Sequence, residues 1–235
     1  MNPGASRVWI TRARPGAEAT AARLSALGFS PLIDPLLEVR DLPWTADLSG
    51  VGALAFTSRN GLAAFARASA RRDLPVFAVG AATADLAAEA GFSRIESADG
   101  DVAALAALIA ARREAFEGAV LHPAAAEPAG DLVSPLARAE IQARAIAVYE
   151  SVVRAPTAET LAVLDDLGAV LLHSPKAARA LAAVLTARPA PGLKAFCLSP
   201  AVAAPLAPLC ADRRLGPVAA APRPRETALF DLLSP

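Results

Sequence analysis

Hydroxyl, arginine and histidine side chains recur in this chain at one kind of place, just after a short apolar run and just before a helical pattern. The stretches are Thr11-Arg12-Ala13-Arg14-Pro15-Gly16, Thr57-Ser58-Arg59-Asn60-Gly61, Gly80-Ala81-Ala82-Thr83, His122-Pro123, His173-Ser174-Pro175-Lys176 and Ser199-Pro200-Ala201. A helix N-terminus presents unsatisfied backbone N–H groups and the positive end of the helix dipole, so such turns can hold carboxylate or phosphate. Ser, Thr and Pro are also what any helix start prefers. One turn therefore says little. Several together, some with Arg or Lys, suit a ligand that carries many carboxylates.

Other chemistries lack their residues. The two histidines are far apart, with no H-x-x-x-H spacing and no cysteine partner, so no metal centre is expected. Gly80-Ala81-Ala82-Thr83 lacks both the P-loop lysine and the dinucleotide glycine spacing, so no cofactor is expected. His173 and Ser174, as neighbours on a strand, would point to opposite faces, which argues against covalent catalysis by that pair. Cys197 lies in the apolar run Ala195-Phe196-Cys197-Leu198 and reads as a small core residue. With Cys210 it forms no C-x-x-C pattern and no disulfide framework.

Composition narrows the class further. The 23 Lys and Arg balance 23 Asp and Glu, so no overall field favours nucleic acid or an anionic membrane. An apolar fraction of 54% supports a sizeable core. No charged start leads into an apolar signal core, and no apolar run is long enough to cross a bilayer. The expected location is the cytoplasm.

The elements that must position these turns alternate strand and helix, which predicts an α/β fold. Val8–Thr11 reads as a strand and Gly16–Leu27 as a helix, ended by Gly28. The run from Pro31 to Val39 is broken by Pro35, as at an edge strand or a crossover. Further strands are expected at 53–57, 76–80, 94–97, 119–122, 169–173, 195–198 and 218–221. Helices are expected at 60–70, after Gly80 to Ala90, and at 102–113, 130–139, 176–187, 201–210 and 225–233. Residues 141–153 read as an extended segment holding the only tyrosine, Tyr149.

Residues 53–58 and 169–174 share one strand-turn-helix logic, and 76–81 matches 194–200 at nearly the same offset. This predicts a duplication, hence two similar domains, each a parallel sheet flanked by helices. The opening strand-helix-strand unit does not fit one sheet with the segment directly after it. Residues 1–38 plus 154–235 are therefore expected to form one discontinuous domain and 41–147 the other. Segments 39–41 and 147–153 would join them as a two-stranded β linker, a hinge of two crossings.

The ordered turns resemble the uroporphyrinogen-III synthase family. The matching marks are Ile10-Thr11-Arg12, Phe56-Thr57-Ser58-Arg59-Asn60-Gly61, Val79-Gly80-Ala81-Ala82-Thr83-Ala84, Ala147-Val148-Tyr149-Glu150 and His173-Ser174-Pro175. They cover the chain in the family's order. The resemblance implies a two-domain lyase of heme biosynthesis that cyclises hydroxymethylbilane, a linear tetrapyrrole with eight carboxylates. The product is uroporphyrinogen III, formed in a cleft between domains with loss of water and inversion of ring D.

It also implies that Tyr149 assists departure of the hydroxyl, a role for which a phenol that stays protonated at neutral pH is suited. Packing in a linker strand is the alternative for that residue. Arg12 is implied as a carboxylate partner, and Thr57, Ser58, Arg59, Gly80, Ala82, Thr83, Ser174, Pro175 and Ser199 as substrate-binding positions. The chain departs from the family's pattern at Ser199-Pro200-Ala201-Val202, where many members have a Gly and Thr turn. It departs again at His122-Pro123-Ala124, where arginine and glycine are often found. A small-molecule substrate, a monomer and, at most, transient contact with hydroxymethylbilane synthase are expected. The competing readings are a non-catalytic two-domain sensor for an anionic ligand and a phosphate-handling α/β enzyme.

Overall fold

Strands buried on both faces must be apolar along their whole length, and the central runs here are. Ala169–Leu172 is buried at every residue, as is Val76–Ala78. In the computed structural model, which describes residues 6–45 and 47–233, these runs lie in two sheets.

The elements, in chain order, begin with β1 (Arg7–Ile10), α1 (Gly16–Ala26), β2 (Ser30–Ile33) and β3 (Leu37–Asp41). Next come β4 (Val51–Phe56), α2 (Arg59–Ala68), β5 (Val76–Ala78), α3 (Ala81–Glu89), β6 (Ile95–Ser97) and α4 (Val102–Ala111). After these stand β7 (Ala119–Ala125), α5 (Val133–Arg138), β8 (Ala143–Val153), α6 (Ala158–Ala162), β9 (Ala169–Leu172) and α7 (Pro175–Ala187). The chain closes with β10 (Lys194–Cys197), α8 (Pro200–Ala203), α9 (Ala207–Ala211), β11 (Val218–Ala220) and α10 (Glu226–Asp231).

Two compact units result. One takes the residues up to Glu38 and from Val152 onward; the other takes Val39–Ser151. The first holds a parallel sheet in the order β11-β10-β9-β1-β2. The second holds β3-β8-β7-β4-β5-β6, parallel from β8 to β6. Strands β3 and β8 carry the chain from one unit to the other and form the edge of the second sheet.

Alternation along each strand divides the cores by face. In the first unit Trp9, Val170 and Leu172 pack with α7 residues such as Leu181 and Leu185, while Val8, Ile10 and Leu171 face Leu24 of α1 and Leu229 and Phe230 of α10. In the second, Leu54, Phe56, Val76 and Leu121 pack with Leu62 and Phe65 of α2. Ala53, Ala55, Phe77 and Val120 meet Leu105 and Ile109 of α4. Both sheets are thus helix-covered on both faces, the doubly wound plan.

Two local expectations need correction, and one helix was not expected. The helix expected over 201–210 is broken into α8, a single 3₁₀ turn at Ala204–Leu206, and α9. Pro205 and Pro208 lack the N–H that a continuous helix requires and clash with the turn before. His122-Pro123 is not a turn: β7 runs on to Ala125 beside the eleven-residue β8. Its pairing with β4 ends at Leu121, so Pro123 has no N–H to supply on that side. Helix α6 has no counterpart in the sequence reading, because five residues are too few for a period to show.

Candidate active site

In the second unit, Thr57 and Ser58 span the gap between the end of β4 and the start of α2. Ser58 is the N-cap: its backbone is extended and its Oγ accepts from Gly61 N–H at 3.0 Å. Gly61 is required by space. A Cβ there would lie 2.5 Å from the Pro123 carbonyl oxygen, so the first turn of α2 is seated directly on β7.

Tyr149 reaches the same turn from β8. Its hydroxyl lies 3.0 Å from Ser58 Oγ, while the residue, only 8% exposed, sits in a small cluster with Ala64 and Val148. The register explains its aim. His122, Pro123 and Ala124 pair with Ala145, Ile146 and Ala147, but Ala125 pairs with Tyr149, so Val148 is an extra residue in β8. Such a bulge redirects the side chain that comes after it. Ser58 Oγ already accepts from Gly61. When it donates its own hydrogen to the Tyr149 oxygen, the phenol hydrogen is left for a third group.

Beside this pair, Thr57 Oγ1 lies 3.0 Å from His122 Nε2. His122 is 2% exposed, and burial pushes its pKa down from 6.5 to about 4. It also lines a cavity of about 330 Å³ together with Pro128, Gly130, Asp131, Leu132, Val133 and Ala145. Arg59, exposed, stands at the first position of α2. A cation there opposes the helix dipole, so its placement is favourable only when it meets an anion. Gly80 occupies the N-cap position of α3, with no side-chain cap. Ala82 is exposed in the first turn and Thr83 is buried behind it.

The first unit repeats the plan with other contacts. Ser174 caps α7 by accepting from Ala177 N–H at 3.2 Å, and Pro175 opens the helix. Ser199 stands at the N-cap of the four-residue α8 without a side-chain cap bond. Arg12 is half-buried and engaged: its Nη1 lies 3.2 Å from Glu226 Oε1. That oxygen also accepts from Thr20 Oγ1 at 2.5 Å and lies 3.2 Å from His173 Nε2, while Arg23 donates to Oε2 at 2.5 Å. Burial acts to raise the Glu226 pKa. Hydrogen bonds from His173 and Thr20 and the Arg12 charge outweigh it and bring the value from 4.5 to about 2.

The structure therefore joins Tyr149 to Ser58 and places Thr57, Arg59, Gly80, Ala82 and Thr83 at helix starts of that same unit. It places Arg12, Ser174, Pro175 and Ser199 in the other. Glu226 and the Thr57–His122 pair escaped the sequence reading. His122 had a signal, a lone polar residue in the run Ala119-Val120-Leu121-His122, since a buried polar group must find a partner. Glu226 had none, because its partners lie up to 214 positions away. Among the described residues no group of three or more His, Cys, Asp or Glu could hold a metal ion. No helix of the described residues is long and apolar enough to cross a membrane.

The fold is similar to that of uroporphyrinogen-III synthetase from Helicobacter pylori, with a TM-score of 0.69 at 18% identity, over 97% of this chain and 98% of that one. A mutant uroporphyrinogen III synthase from Thermus thermophilus is similar with a TM-score of 0.54 at 18% identity, over 97% of each chain. No curated protein sequence matches the chain. The family model described as uroporphyrinogen-III synthase HemD matches residues 18–231, and so takes in both units and nearly every turn described above. The chain belongs to the uroporphyrinogen-III synthase family.

Proposed function

We infer that the chain converts hydroxymethylbilane to uroporphyrinogen III, a cyclising lyase reaction, and that the Ser58–Tyr149 pair serves the departure of the substrate's hydroxyl. Family membership supports the reaction. The single observation that supports the site is the 3.0 Å contact between the Tyr149 hydroxyl and the N-cap serine of α2. On this reading the phenol hydrogen is given to the terminal hydroxyl as its C–O bond breaks, so that water leaves and an azafulvene cation remains. Ring D then attacks through its substituted carbon. The spiro intermediate fragments and recloses in the opposite sense, and loss of a proton restores the aromatic ring.

The protein's main task is orientation, since reaction through the substituted carbon requires ring D to be held in one pose. Helix starts carrying Thr57, Arg59, Gly80, Ala82 and Thr83, and in the other unit Arg12, Ser174, Pro175 and Ser199, hold the acid arms. Arg12 does so while tied to Glu226, which fixes the guanidinium in place. The two compact units act as the enzyme's two domains, one of them discontinuous. The enzyme works as a cytoplasmic monomer. Its substrate closes unaided to isomer I, which favours a transient contact with hydroxymethylbilane synthase for hand-over.

The test is incubation with enzymatically generated hydroxymethylbilane, then separation of the uroporphyrinogen isomers. Isomer III is expected in excess over isomer I. Isomer I alone, at the spontaneous rate, would end the synthase reading in favour of a sensor that binds without turnover. Tyr149→Phe is expected to lower kcat by about 10²-fold, the scale of a lost general acid, with product affinity nearly unchanged. Full activity of that variant would reduce Tyr149 to packing.

A further inference from the structure

We propose that His122 is a positioning residue for the reaction, held as a neutral imidazole with its hydrogen on Nε2, so that the ring donates to Thr57 Oγ1 and leaves the threonine's own hydrogen for a substrate carboxylate. This rests on the reading of Thr57 as a substrate-binding residue. The contact between Thr57 Oγ1 and His122 Nε2 is 3.0 Å, and chemistry allows it in either direction. The direction decides what Thr57 can do. A hydroxyl has one hydrogen. If Thr57 gives it to Nε2, only oxygen lone pairs remain outward, and they repel a carboxylate. If Nε2–H donates instead, Thr57 becomes a dedicated donor for a ligand whose arms are all acceptors.

Three features underlie the proposal. Thr57 is half-buried and, among the described residues, its hydroxyl has no second protein partner, so an outward hydrogen has somewhere to go. The distance is built in rather than incidental, because the contact of Gly61 with the Pro123 carbonyl seats the start of α2 against the very strand that carries His122. Burial of the ring, which moves its pKa to about 4, leaves it neutral at pH 7, so Nε2 is either a donor or an acceptor, and only the tautomer with the hydrogen on Nε2 frees the Thr57 hydrogen for a ligand.

Nitrogen NMR of ¹⁵N-labelled wild-type protein at neutral pH reads the tautomer directly. The chain has two histidines, and the His122 signals are those absent from His122→Gln. A protonated Nε2 with a bare Nδ1 is expected. A protonated Nδ1 overturns the proposal, whatever the activity. In steady-state assays His122→Leu should raise KM about tenfold, the scale of one hydrogen bond to a charged group, with kcat little changed. His122→Gln, whose amide can also donate, should recover most of that loss. Thr57→Val should raise KM similarly, and adding His122→Leu to it should change nothing further. An equal effect of His122→Leu with and without the Thr57 hydroxyl overturns the proposal. Absence of isomer III from the wild type would count against the synthase reading instead, and the NMR result would still decide the tautomer.

Discussion

His122 shows how much one buried polar side chain constrains. Its ring lies buried in a strand beside the Thr57 hydroxyl, and burial holds its pKa near 4 against 6.5 in the unfolded chain. A base whose pKa falls on folding binds its proton less readily in the native state. The unfolded chain gains stability by protonation as pH drops below 6.5, and the native state does so only near 4. Stability is therefore full above about pH 6.5 and is lost between there and 4, with about 2 kcal/mol gone by pH 5. Denaturant melts at pH 7 and pH 5, compared between wild type and His122→Gln, isolate this contribution. An identical pH dependence in both proteins would show that the ring is not desolvated. Glu226 acts in a lower window, because its depressed pKa stabilises above about 4.5 and that contribution fades as pH falls towards 2. Neither residue's partner could be read from sequence, for the same reason. Their partners are distant in the chain and local periodicity carries no trace of them.

At the scale of the element, the turn between β4 and α2 is the best-determined piece of the site. Ser58 caps the helix and meets Tyr149, Thr57 meets His122, and Gly61 allows the helix to touch β7. Gly61→Ala would place a methyl 2.5 Å from a backbone oxygen that cannot swing aside. We expect a loss of about 1–3 kcal/mol, typical of overpacking. Gly80→Ala provides the control: nothing lies within 4 Å and its extended backbone suits any residue, so its melting temperature should match the wild type. Equal thermal melts for the two variants would refute the seating of α2 on β7. The helix starts were legible because caps and N-terminal proline are local signals, as at Ser174-Pro175. The break at Pro205 and Pro208 was legible in principle too, but the apolar residues of 201–210 masked it.

The whole molecule is two copies of one plan with different chain routes. In the second unit the strands β6-β5-β4-β7-β8 run in the spatial order that β11-β10-β9-β1-β2 takes in the first. The opening β1-α1-β2 thus fills the place that β7-α5-β8 fills in the second unit. A domain built from both ends of the chain needs a lock between them, and Asp34 is one. Buried at 4% exposure, it accepts from Thr157 N–H at 2.7 Å and from the Thr157 hydroxyl at 3.1 Å, and its carbonyl accepts from Trp9 Nε1. Asp34→Ala should cost about 1–3 kcal/mol, because it strands buried donors. It should also remove hydrogen-exchange protection from the Thr157 amide. A cost below about 0.5 kcal/mol would mean that packing alone closes the unit. The sequence by itself determined the α/β class, the helix starts and the duplicated rhythm, because caps, apolar runs and glycine stops act over a few residues. The pairing of Tyr149 with Ser58, of Thr57 with His122 and of Arg12 with Glu226 was decided only by the tertiary structure. Strand order, a one-residue bulge in β8 and the close seating of α2 bring those atoms within hydrogen-bond reach, and each depends on contacts that sequence spacing does not encode.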